Sequence, residues 1–445
     1  MNHEGTKSTK KRERRREKRK ANGLFIEMAT LCYLSQSLAL DILVPIPFLS
    51  FVLFVSSWFN RFRGCILETA FDVIVIGLGA MGSATAYHAA RRGARVLGLD
   101  AYPRGHTNGS SHGTTRIIRE AYFEAPEYVP LVQRAYTLWR ELEAQSGRSL
   151  LTITGGLNIG TPDSEFVGGA RMSAHLHHLP YEELSNRAVA ARFPGFHLPE
   201  EMVAIYEPTA GILDPEACVF AHLDLAARHG AEIHHNEPAR RWSVDGDGVR
   251  VKTEHGVYTG AGLVITAGPW TSEMLSDIGL SLRVQRIVNV HFAPTAPELF
   301  APDRCPVYLM QVPEGDYYGF PALPGEGVKI GRHEIGDVCT PETIRRNVGP
   351  DEIAMLRAVL DRYLPGAAGD VLWTLTCMYT NTPDRHFILD CHPTHDNVVY
   401  GCGFSGHGFK FASVIGEVMT DLALDSTTRH DIGFLSAARF AEATT

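Results

Sequence analysis

Residues 72–100 read DVIVIGLGAMGSATAYHAARRGARVLGLD, and the order of their parts decides the fold. Asp72 to Ile76 is a short apolar, β-branched run, expected as a strand buried on both faces. It enters Gly77, Gly79 and Gly82 at the GxGxxG spacing, and Ser83 to Arg92 then suits a helix. Gly77 allows the tight turn, Gly79 lets backbone approach a pyrophosphate, and Gly82 lets helix pack on strand. The pyrophosphate then rests on N–H groups at a helix N-terminus. A second strand, Ala94 to Leu99, ends in Asp100, 23 residues after Gly77, where a carboxylate suits the 2′-hydroxyl of an adenosine ribose. These features predict an adenine dinucleotide and leave NAD and FAD undistinguished.

A nucleotide module that opens the folded body has to be completed by later segments. Residues 248–259, GVRVKTEHGVYT, alternate around His255-Gly256 and predict a hairpin, and Leu263-Val264-Ile265 predicts a further strand. Asn397 to Gly401 predicts another, followed by the glycine-rich turn Gly403 to Lys410, which includes Gly406, and the amphipathic run Phe411 to Leu424. Were the dinucleotide FAD, the start of that helix would be able to face the flavin pyrimidine, where negative charge develops on reduction.

Composition narrows the function further. The chain has 445 residues, 44% of them hydrophobic and 21% charged, which excludes a mostly disordered or multi-span membrane protein. Residues 1–70 hold 12 Lys+Arg against 6 Asp+Glu, a balance of +6, so the net charge of −8 leaves −14 on residues 71–445. No nucleic-acid footprint is visible in that acidic body. The eight cysteines are scattered, which fits a reducing cytoplasmic compartment, and no CxxC or HExxH supplies a metal site.

Residues 1–70 are expected to be a basic and apolar leader outside the folded core. The basic run of residues 7–20 reads as a solvated tail. Ile42 to Phe59 is 18 residues without a charge, about the minimum to span a bilayer, but Pro45 and Pro47 weaken it as a helix. Membrane contact rests on that segment alone.

Several separate strings are more specific. They are His106 to Arg119 (HTNGSSHGTTRIIR), Tyr317 to Pro321 (YYGFP), Val328 to His333 (VKIGRH), Cys377 to Thr380 (CMYT), Asp384 to Ile388 (DRHFI) and Phe404 to Lys410 (FSGHGFK). In order and spacing they resemble the monomeric sarcosine oxidase and N-methyltryptophan oxidase family, flavoenzymes of the D-amino-acid-oxidase type, from about Phe71 to about Phe440.

Read alone, Arg116 and Arg119 are three apart and become neighbours in a helix, forming a clamp for a carboxylate or a flavin edge. The resemblance implies that Arg119 and Lys410 bind the substrate carboxylate, while Thr115 and Arg116 lie against the flavin. It implies FAD joined covalently through Cys377 as an 8α-S-cysteinyl link. Lys329, which alone reads as a snorkelling strand residue, then promotes the reaction with oxygen. His333, Tyr318, His112 and Tyr379 become pocket residues that orient the amine, and Met378 is packing.

The implied reaction is oxidation of an N-methyl or secondary amino acid, foremost sarcosine, which with O2 and water gives glycine, formaldehyde and H2O2. N-Methyltryptophan, pipecolate and proline are alternative substrates, and a membrane-anchored flavin dehydrogenase feeding a quinone is an alternative of another class. The family commonly has two adjacent histidines where this chain has Ser111-His112, and an aspartate where it has Thr114.

The expected fold is α/β, with a Rossmann-like FAD domain assembled from residues 71–145, 215–283 and 384–445. A substrate domain of residues 146–214 and 284–383 is expected to carry a large mixed β-sheet, in a protein acting as a monomer.

Overall fold

A computed structural model describes residues 70–333 and 336–440. The basic run, the apolar segment 42–59 and the rest of the leader lie outside the described residues. Among the described residues no helix is long and apolar enough to cross a membrane.

The strand Phe71–Ile76 pairs in parallel with Val96–Leu99 on one side and Val257–Ile265 on the other. Its side chains alternate between two cores. Val73 and Val75 pack with the helices Ala80–Arg91, Val129–Ser146, Pro215–Arg228 and Ala412–Asp425, whereas Ile74 and Ile76 join Leu97, Leu99, Leu263 and Ile265 on the other face. A central parallel strand covered on both sides has no polar position, which is why DVIVI is a continuous apolar run. Gly77 has φ +87°, and a Cβ on Gly82 would lie 1.8 Å from the Gly77 carbonyl oxygen, so the turn into the first helix admits no side chain at either position.

The sheet runs in the order Arg241–Asp245, Gly248–Lys252, Val257–Ile265, Phe71–Ile76, Val96–Leu99, Glu232–His234. The expected hairpin is present, but Leu263 to Ile265 is not a separate strand. It continues Val257–Ile265, whose first half pairs with Gly248–Lys252 and whose second half pairs in parallel with His395–Cys402. Strands far apart in sequence thus complete one Rossmann-like sheet.

A second eight-stranded sheet is mixed. Its order is Val371–Asn381, Arg283–Phe292, Gly327–Arg332, Gly315–Leu323, Val307–Val312, Gly156–Gly160, Val203–Glu207, Glu182–Ser185, and only Val307–Val312 with Gly156–Gly160 is parallel. One face packs Val290, Phe292, Val328 and Ile330 against Leu356 and Leu360 of the helix Pro350–Tyr363. The opposite face is left for chemistry. A small third sheet holds Arg116–Ile118, Gly211–Leu213 and Leu151–Ile153. The segment holding Arg116 is therefore extended, not helical, and Arg119 lies just past its end, so the two arginines are not neighbours one helical turn apart.

Candidate functional site

Two adjoining cavities lie between the sheets. The larger, about 470 Å³, is lined by Gly77, Gly79, Asp100, Ser110, Cys377 and Gly406 among others. Asp100 accepts from the backbone N–H of Leu78 at 2.7 Å and of Tyr102 at 3.0 Å, so its carboxylate ties the glycine turn to the end of the second strand. Ser111 Oγ accepts from Ala80 N at 3.0 Å, and a Cβ on Gly79 would come within 3.1 Å of that hydroxyl. The bare glycine turn, the helix N-terminus and the carboxylate line one groove of the size that holds a large cofactor, about 300–1,000 Å³. These residues fit FAD.

The smaller cavity, about 80 Å³, is built by strand register. Tyr318 stands opposite Gly331 and Phe320 opposite Lys329; Asn289 stands opposite Gly331 on the other side, and opposite Leu375. Because side chains alternate with period two, Tyr318, Lys329, Asn289, Cys377 and Tyr379 emerge on one face, while their neighbours face the apolar core. Gly331 leaves a gap across which Tyr318 Oη donates to Asn289 Oδ1 at 2.7 Å; a Cβ there would meet the Tyr318 ring at 2.6 Å. His333 continues the strand, its N–H donating to the Asp316 carbonyl at 2.7 Å.

The wall opposite this sheet carries charge. Arg119, 3% exposed, donates through Nη2 to both Glu124 carboxylate oxygens at 2.7 and 2.6 Å and through Nη1 to the Ala121 carbonyl at 3.0 Å. Lys410 Nζ donates to the His407 carbonyl at 2.6 Å. Burial and then Arg119 push the Lys410 ammonium down to about 7, while burial and then Arg116 do the same to Lys329. Burial alone would raise the Glu124 carboxyl, but Arg119, His407 and Lys410 outweigh it and hold it at about 2. Burial drives the His333 imidazole down to about 4, so it is neutral at pH 7. The cavity therefore sets Arg116, Arg119, Lys329 and Lys410 against the single carboxylate of Glu124.

The structure brings Arg119, Lys410, Lys329, His333, Tyr318 and Tyr379 around this cavity. Thr115 also lines it, and its hydroxyl and carbonyl accept from Lys329 Nζ at 3.0 and 3.3 Å. Arg116 binds the carbonyls of Ser110, His112 and Thr115 at 2.7–3.0 Å, which folds the loop around its guanidinium. His112 does not reach the small cavity. It lines the larger groove, where its Nε2 bonds the Thr376 carbonyl at 3.1 Å. Arg116, Cys377, Tyr379, Gly406 and Phe409 line both cavities, so the two meet at Cys377. Among the described residues no cluster of His, Cys, Asp or Glu could hold a metal ion.

Sequence reasoning missed Glu124 and Asn289. The signal for Asn289 was an amide within the apolar strand sequence Ile287-Val288-Asn289-Val290; Glu124 had no signal beyond being an acid five residues from Arg119.

A nucleotide groove opening onto a small cation-lined cavity is the architecture of a flavin-dependent oxidoreductase. The chain belongs to the FAD dependent oxidoreductase (DAO) family, whose model matches residues 72–422. It is 46% identical over 384 residues to the monomeric sarcosine oxidase of Streptomyces avermitilis, covering 85% of this chain and 100% of that protein. It is 36% identical over 380 residues to the N-methyl-L-tryptophan oxidase of Salmonella arizonae, covering 84% and 100%. The solved structure of NikD, an amino acid oxidase essential for nikkomycin biosynthesis, matches with a TM-score of 0.74 and 27% identity over 83% of this chain and 98% of that one.

Proposed function

We propose that this protein is an FAD-dependent oxidase of small N-methyl amino acids, acting on sarcosine with O2 and water to release glycine, formaldehyde and H2O2. The observation that carries this reading is the 80 Å³ cation-lined cavity abutting the cofactor groove. The cavity is small, and its lining pairs the cations Arg119 and Lys410 with the polar side chains of Tyr318, Tyr379 and His333, as a compact amino acid requires.

The chemistry supplied by bound FAD is two-electron acceptance from the substrate C–H and return of those electrons to dioxygen. Gly77, Gly79, Gly82 and Asp100 hold its dinucleotide end, Thr115, Arg116 and Gly406 lie along its ring end, and Cys377 attaches it covalently. The placement of Cys377 at the meeting point of the cavities supports that last assignment.

The protein's own residues bind and orient. Arg119 exchanges the Glu124 carboxylate for that of the substrate, and protonated Lys410 adds a second charge from the same wall. Tyr318, held by Asn289, and Tyr379 fix the amine laterally, while neutral His333 offers no competing positive charge to it. Lys329, anchored on Thr115, holds a positive charge where reduced oxygen species develop negative charge. In this reading residues 71–145, 215–283 and 384–445 form the cofactor domain and 146–214 and 284–383 the substrate domain. Besides Cys377, the five free thiols among the described residues suit a reducing cytoplasmic compartment.

Anaerobic mixing of the flavoprotein with sarcosine, N-methyltryptophan, pipecolate and proline tests the assignment. Bleaching fastest with sarcosine, and one H2O2 per amine oxidised in air, is the expected result. Preference for N-methyltryptophan, or quinone reduction without peroxide, would overturn it.

A further inference from the structure

Glu207 lines neither cavity, yet its carboxylate is the most deeply buried acid near them. It ends the strand Val203–Glu207 and is 1% exposed. Its Oε1 accepts from the backbone N–H of Glu120 at 2.6 Å and its Oε2 from that of Ala121 at 2.8 Å; Thr209 Oγ1 donates to Oε1 at 3.0 Å. Burial raises its pKa, and these donors together with Arg119 oppose that rise.

The two amides so held follow Arg119 directly in the chain. The strand Arg116–Ile118 has ended, and its partner Gly211–Leu213 pairs no further than Ile118, so the sheet ladder does not fix Arg119 or the residues after it. One carboxylate binding two consecutive N–H groups sets the orientation of both peptide planes. Those planes are the Arg119–Glu120 and Glu120–Ala121 peptides, so the carboxylate fixes the main chain from the Arg119 carbonyl to the Ala121 nitrogen, and the next carbonyl along, that of Ala121, accepts from Arg119 Nη1 at 3.0 Å. The guanidinium is thus steadied from its own backbone, leaving Nη2 for a carboxylate: Glu124 here. A buried acid is a costly anchor unless it is fully hydrogen-bonded, and Glu207 satisfies three donors around one arginine.

We propose that Glu207 is a positioning residue for substrate-carboxylate recognition, holding the Glu120–Ala121 backbone so that Arg119 presents its guanidinium to the small cavity. This rests on the reading that Arg119 binds the substrate carboxylate. Ligand affinity then depends on a residue that touches neither substrate nor cofactor.

The test uses the full-chain flavoprotein, with acetate as an unreactive carboxylate probe read from the flavin spectrum. Glu207→Gln turns one acceptor into an amide N–H2 facing a backbone N–H, and is expected to weaken acetate and raise the sarcosine KM by about 10- to 100-fold, as loss of a supporting shell does, with the saturating anaerobic bleaching rate unchanged. Thr209→Val removes only the hydroxyl, and should weaken acetate by about fivefold, one hydrogen bond's worth, should Glu207→Gln fail to fold. Unchanged acetate affinity in both variants, or a lowered melting temperature and bleaching rate with no acetate shift, overturns the proposal. Arg119→Gln separates the two levels. Loss of acetate binding there with none in the Glu207 and Thr209 variants sinks the positioning role alone, whereas acetate binding retained in Arg119→Gln sinks the clamp and the proposal with it.

Discussion

Arg119 and Glu124 form an ion pair inside the small cavity, with one guanidinium nitrogen reaching both carboxylate oxygens at 2.7 and 2.6 Å. The acid occupies the partner position that a substrate carboxylate needs, so the protein neutralises its own clamp until a ligand takes over. Such a pair stabilises the ligand-free site and competes with the substrate.

Replacing Glu124 with Gln should therefore separate stability from affinity. The ligand-free protein loses about 3 kcal/mol, the order expected when one member of a buried pair is removed. Acetate should bind more tightly than to the wild type and restore more of the lost melting temperature. Weaker acetate binding in the variant, followed by thermal shift and flavin titration, would show that Glu124 assists the ligand.

Carboxylate affinity should depend on pH through Lys410. Its ammonium titrates at about 7 in the folded protein, below its ordinary value, so positive charge at the clamp is lost as pH rises through that point. Acetate should bind most tightly below pH 7 and weaken above it, with Arg119 keeping its charge throughout. Lys410→Met should bind weakly at all pH values and flatten the profile. By linkage, the folded protein binds fewer protons than the unfolded chain between about pH 7 and the ordinary lysine range, so the destabilising effect of burying Lys410 is relieved as pH rises through that window.

Lys329 is buried, lowered to about 7, and tied to Thr115 rather than to an acid. Its charge is thus available to oxygen chemistry and not to the carboxylate. Lys329→Met should slow flavin reoxidation by about 100-fold or more, the size of losing one preorganised electrostatic group, and leave anaerobic reduction by sarcosine much less affected. Stopped-flow measurement of the two half-reactions decides the point; an equal loss in both would remove the assigned role.

Acid precipitation reports directly on Cys377. Wild-type precipitate should remain yellow, while Cys377→Ser should release its flavin to the supernatant and still bind FAD before precipitation. Colourless wild-type precipitate would be fatal to the covalent assignment.

The Rossmann-like turn was legible in the sequence because each part of it is local. Gly77 and Gly82 are required by contacts within a dozen residues or with one adjoining strand, and DVIVI alternates between two cores without leaving a polar position. The register of the second sheet was not legible. Nothing in Ile287-Val288-Asn289 says that Asn289 stands beside Tyr318 across a gap left by Gly331, since that depends on three strands from separate parts of the chain. The helical reading of Arg116 and Arg119 failed for a related reason. A spacing of three favours neighbours only in a helix, and strand pairing with Gly211–Leu213 overrode it.

By itself, then, the sequence determined a nucleotide-binding βαβ unit, an acidic body carrying a few separated cations, and the strings that relate it to its family. Tertiary structure alone decided which of those cations share one small cavity, that Glu124 neutralises Arg119, and that His112 lies with the cofactor groove. Glycine spacing and hydrophobic period are enforced by steric and burial demands on neighbouring residues. The charge of a buried site is the sum over side chains delivered by distant strands, and it exists only once the sheet register has brought them together.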